Sequence, residues 1–101
     1  MPSAFLTCRT DRTPSSGVYR ITVTEHPFQV DLSARIVRTF FVEHIRLHPF
    51  FSDIDAAARG PWLIYDNDRS TLLSVGWPTL RAVEQAALDI AGGHDPAPSA
   101  R

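Results

Sequence analysis

The chain has 101 residues, of which 44% are apolar and 21% charged, and a formal net charge of -1. That is enough chain for one domain burying roughly 60 to 65% of its unfolded surface, and its near-neutral charge excludes a global attraction to nucleic acid or acidic membranes, so any basic site must be local. The ten Lys and Arg side chains are all arginine, which excludes lysine Schiff bases and P-loop lysines, and the one cysteine, Cys8, excludes an internal disulfide or a Cys-rich zinc site.

Arginine without lysine, beside frequent Ala and Pro, is the composition of a GC-rich bacterial coding sequence. A free thiol fits a reducing cytoplasm. The first residues, MPSAFLTCRTDR, lack the charged start and long apolar run of a signal peptide, and no stretch approaches the roughly 18 apolar residues of a membrane span. A cytoplasmic protein is expected.

Residues 4–8 form a short apolar run that suits an edge strand, and residues 9–17, with Asp11, Pro14, Ser15, Ser16 and Gly17, read as a loop. In residues 18–24, Tyr19, Ile21 and Val23 alternate with Arg20, Thr22 and Thr24, the period of a strand with one buried face. Glu25, His26 and Pro27 break it. Asp31 or Ser33 can then cap a helix running to about Leu47, with Pro49 ending it. At 100° per residue, Ile36, Val37, Phe40, Phe41, His44, Leu47 and His48 share one side, and Arg35, Arg38 and Arg46 form an outer stripe.

Residues 52–59 read as a short helix with Ser52 at its cap, Asp53 and Asp55 in the first turn, and Gly60 as terminator. Residues 60–77, GPWLIYDNDRSTLLSVGW, carry the strongest pattern of the chain: two apolar runs, 62–65 and 72–75, joined by a polar turn. Pairing Asp66 with Thr71 across a four-residue loop sets Ile64 against Leu73 and Trp62 against Val75, which gives one apolar face. Leu63, Tyr65, Leu72 and Ser74 then share the other. Pro78 opens a final helix with Leu80, Val83, Ala87, Ile90 and Ala91 inward, and Gly92 and Gly93 stop it. The expected fold is α+β: a four-stranded, largely antiparallel sheet in ββαββα order, both main helices on one face, with a short linking helix. The domain spans residues 1–92, and residues 93–101 read as a disordered tail.

Chemistry is sparse. His44 and His48, one helical turn apart, have the spacing of two metal ligands, yet the order EHIRLH lacks the HExxH arrangement, and a hydrogen-bonded core histidine explains His44 as well. DNDRST starts like a calcium loop but has Thr71 where a glycine is required and Trp77 where a bidentate Glu would close the site. Asp53 and Asp55 are explained by helix capping. No GxSxG, GxGxxG or GxxxxGK[ST] motif occurs. No catalytic residue and no cofactor are expected.

With both helices on one face, the opposite sheet face would present Leu63, Tyr65 and Leu72 beside Arg20, an apolar patch of the kind used for docking. A covering segment around Phe50 and Phe51 is the competing explanation. The leading expectation is a non-catalytic regulatory or accessory interaction domain, its partner a second copy in a homodimer or another protein. The alternative is a nucleic-acid-binding regulator using Arg35, Arg38 and Arg46, and the third a metal-dependent enzyme using His44 and His48. No membrane contact is expected.

Overall fold

The computed structural model describes residues 4–29 and 32–94. Five strands form one antiparallel sheet in the order β1-β2-β3-β4-β5, each hydrogen-bonded to its neighbours in sequence. They are β1 (Ala4–Arg12), β2 (Val18–Pro27), β3 (Arg35–His44), β4 (Trp62–Asp66) and β5 (Leu72–Trp77). Between β3 and β4 lie a 3-10 turn (Ile45–Leu47) and the short helix α1 (Ile54–Arg59), and the chain then enters α2 (Leu80–Ala91). The α+β class is as expected. The four-stranded ββαββα arrangement is not: the sheet has five strands, and only one long helix covers it.

The difference lies in β3. Its apolar residues recur at spacings of three and four, which mimics a helix, because both faces of the strand are buried in part. Phe40 and Val42 are fully buried beneath α2, while Phe41 and Glu43 turn to the opposite face. Two-sided burial erases the period-two signal that identifies a strand. Ile36, Val37, Thr39 and Val42 are β-branched and Phe40 and Phe41 aromatic, types that favour a pleated surface. A bulge opposite Val23 and Thr24 further breaks the alternation. Of the two helix caps considered, Asp31 lies outside the described residues, and Ser33 precedes a strand. The first strand also runs four residues further than expected, through Arg12.

The hairpin keeps its four-residue loop, closed by Asp66 N–H donating to the Thr71 carbonyl at 2.9 Å. Its register departs from the simple one because β5 bulges twice: Tyr65 faces Leu72, Ile64 faces Ser74, Leu63 faces Val75 and Trp62 faces Trp77. Asp68 ties the turn by accepting from Ser70 N–H, Thr71 N–H and the Thr71 hydroxyl. Those bonds, the backbone ones foremost, hold its carboxyl at about 2.

One core lies between the sheet and α2. Ile21, Val23, Phe40, Val42 and Ile64 meet Val83, Ala86 and Ala87 there, with Trp77 closing one side. Each fully buried large side chain contributes about 1.5–3 kcal/mol. Thr79 caps α2 by accepting from Ala82 N–H, and Thr10 of β1 donates to Glu84, tying the helix to the edge strand. Helix α1 sits on the opposite face against β5, burying Ala56. The Asp53 carboxylate caps it by accepting from Ala56 N–H. The β4–β5 half of that face is thus covered, as is Glu43 at the end of β3, and no helix among the described residues lies over β1 and β2 there. Gly93 and His94 close the last turn of α2, and the rest of the expected tail lies outside the described residues. No helix among the described residues is long and apolar enough to cross a membrane.

Candidate functional site

The face opposite α2 carries the polar constellation. Glu43, at the end of β3, is buried at 7% exposure and is the only buried charged residue among those described. Its two oxygens are shared out. His48 Nε2 donates to Oε1 at 2.8 Å, and Arg69 approaches Oε2 with a nitrogen at 3.3 Å. The His48 ring stacks on Tyr65 at a centroid distance of 5.6 Å, and the Arg69 guanidinium lies 5.2 Å over the Phe41 ring. Burial, and then the Glu43 charge, push the Tyr65 hydroxyl above its ordinary value. A carboxylate holding one imidazole nitrogen is the orienting half of a proton-transfer site. No hydrogen bond joins the other nitrogen of His48 to a nucleophile among the described residues, so the cluster pins the 45–53 segment to the sheet.

The expected docking residues separate. Leu63 is fully buried, Tyr65 is half-covered by His48, Leu72 stays exposed at 43% and Arg20 is exposed. The 45–59 segment lies over this corner of the sheet, with His48 rather than Phe50 making the stacking contact. The expected metal pair separates too. His44 ends β3 on the α2 side, where its ring meets Trp62 edge-on and its Nδ1 accepts from Arg46 N–H at 3.1 Å, while His48 lies on the other face. No group of three or more His, Cys, Asp or Glu side chains converges among the described residues. Burial, and then the Arg46 charge, lower the His44 imidazole below its ordinary value.

The arginine stripe is dispersed by the helix-to-strand change. Arg35 pairs with Glu25 at 3.1 Å and Arg38 with Asp66 at 3.6 Å, whereas Arg46, beyond the other end of β3, donates to Ser16. A different set of arginines lines two clefts instead. Arg12, Arg20 and Arg69 line a cleft of about 380 Å³ with Phe41, Thr13, Pro14 and Ser15. Across the β1–β2 loop, Arg12 and Arg46 share a second cleft of about 500 Å³ with Tyr19, His44 and Trp62. Sequence reading named Arg20 but missed Arg12 and Arg69. In sequence, Arg12 falls in a run rich in turn residues and Arg69 in the polar turn of the hairpin, and neither setting marks a site.

The opposite end of the sheet is apolar. Phe5, Phe28, Leu32, Ile36 and Val37 are all exposed there. Phe5 stacks on His26 at 4.9 Å and meets Phe28 at 5.6 Å, and Leu32 and Arg35 line a cleft of about 420 Å³ beside Ala4 and Pro27. The period-two pattern of β2 pointed to a strand there, but no signal marked its continuation as a sticky end. Comparison with known proteins returns no match: no protein-family model, no curated protein and no solved structure resembles this chain.

Proposed function

We propose that the protein is a non-catalytic interaction domain that works by self-association, with its interface at the apolar end of the sheet. The observation that carries this reading is the gathering of Phe5, Phe28, Leu32, Ile36 and Val37, all exposed, at one pole of a small domain. Exposed apolar clusters of that kind mark interaction surfaces. Their charge environment favours a second copy as the partner. Arg35 is paired with Glu25, so the described charged side chains of the pole are balanced and do not repel their own image across a two-fold axis. The β1 strand, nine residues long at the edge of the sheet, offers backbone groups alongside.

The test is sedimentation equilibrium of wild type against the double variant Phe28→Asp, Ile36→Asp. Both side chains are more than half exposed, so the fold should persist by circular dichroism. Wild type should be dimeric at micromolar concentration, and the variant should weaken association by about a hundredfold or more, the effect of two lost hot-spot contacts. A wild-type chain that stays monomeric at high concentration would sink the proposal.

A further inference from the structure

We infer that the cleft formed by Arg12, Arg20 and Arg69 over Phe41 is a binding site for a phosphate group. Three arginines line a cleft of about 380 Å³ where the β1–β2 loop meets the open sheet face. Of the nearby acids, Glu43 is buried and shared between His48 and Arg69, so it anchors the third arginine and leaves the other two unmatched. Asp11 stands opposite Arg20 in the strand register, yet its carboxylate is engaged by Arg9 at 3.0 Å. Neither Arg12 nor Arg20 has an acidic partner within ion-pair distance among the described residues. Like charges held together cost free energy in the empty protein, and a dianion with several acceptor oxygens relieves that cost. A single carboxylate carries one charge, too few for the two unmatched guanidiniums of Arg12 and Arg20. A phosphate dianion matches that charge and offers further oxygens to Arg69.

The site's construction supports a role beyond ordinary surface charge. Arg69 has a positive φ of 60°, a conformation favouring glycine or asparagine, and its side chain is nonetheless fixed by Glu43 on one side and Phe41 on the other. Thr13 and Ser15 add hydroxyl groups at the rim, with Thr13 Oγ1 already donating to the Val18 carbonyl and holding the loop in place. From the cleft, the open face continues along β2 and β3 through Thr22, Thr39 and Thr24, without an acid on the way. The phosphate could belong to a small phosphorylated ligand or to the backbone of a single strand laid along those threonines. The chemistry of the cleft is the same for both.

The experiment titrates the full chain with two probes, pyrophosphate by calorimetry and a fluorescent thymidine oligonucleotide by anisotropy. Wild type is compared with the double variant Arg12→Gln, Arg20→Gln and with Arg81→Gln, which removes one exposed arginine on α2. The expected result is binding of at least one probe, reduced about tenfold or more in the double variant and unchanged in Arg81→Gln. For the oligonucleotide, the logarithm of affinity should fall with the logarithm of salt with a slope of about -2, for three phosphates on a single strand. Oligonucleotide binding much tighter than pyrophosphate binding assigns the phosphate to a strand, and comparable or pyrophosphate-only binding assigns it to a small ligand. Failure of both probes at about 50 mM salt, where such contacts are strong, overturns the inference. So does an equal loss in Arg81→Gln.

Discussion

Arg69 sets local backbone preference against side-chain reward. A positive φ at a residue with a Cβ costs about 1–2 kcal/mol. Against this stand an ion pair to the buried Glu43 and a contact over Phe41, each contributing about 0.5–1 kcal/mol because the Arg69 side chain is itself half-exposed and His48 still partners Glu43. The two nearly cancel. Arg69→Gly removes both cost and reward and should leave the unfolding free energy within about 1 kcal/mol of wild type, whereas Arg69→Ala keeps the cost and should lose about 1–2 kcal/mol. Urea denaturation of the two variants separates them, and a glycine variant weaker than the alanine one would refute this accounting. His44 supplies a second test at the same scale. Its Nδ1 accepts from Arg46 N–H, which requires that nitrogen to be unprotonated, and its pKa lies below the ordinary 6.5. The unfolded chain therefore takes up the proton first as pH falls. The stability from this site is complete above about pH 6.5 and is lost as pH drops through the lower folded value. In a His48→Gln background, the urea midpoint should fall from pH 7 to pH 5, and adding His44→Gln should flatten that fall. An equally steep fall in the double variant would contradict it.

Among the elements, α1 has the least choice of sequence around it. Gly60 follows the helix so closely against β5 that a Cβ there would lie 2.3 Å from the Trp77 backbone, and backbone cannot step aside as a flexible side chain can. Gly60→Ala should therefore destabilise the protein by more than about 2 kcal/mol, well beyond an ordinary surface change. Chemical denaturation gives the number, and a near-neutral variant would show that α1 and β5 separate easily. The elements also show what a sequence conveys. The final helix and the hairpin loop were legible because each depends on local rules: a proline before an amphipathic run that two glycines end, and short polar residues that favour a turn. The β3 strand was not legible, because Phe40 and Phe41 are both needed, on opposite faces, and an apolar pair reads the same in a helix. Once β3 was misread, the candidate site went with it: the arginine stripe and the histidine pair were both products of helical spacing. Glu43, His48 and Arg69 come together only through pairing of β3 with β4 and folding back of the 45–53 segment, contacts that no local pattern encodes.

Across the whole molecule, the meander places unlike surfaces at its two ends. One end gathers exposed Phe and Ile side chains, and at the other Arg12, Arg20, Arg46 and Arg69 line two adjoining clefts. The sheet between them is the spacer, since β2 alone runs ten residues, about 34 Å at 3.4 Å per residue. Ligand at one end need not compete with a partner at the other. Two copies joined at their apolar ends would carry their basic clefts at the far extremes, roughly two strand lengths apart. Such a pair would act as a calliper. A polyanion long enough to reach both jaws would be gripped with the gain of an intramolecular second contact, which amounts to about a hundredfold or more without any new residue, and one too short to span them would feel a single jaw.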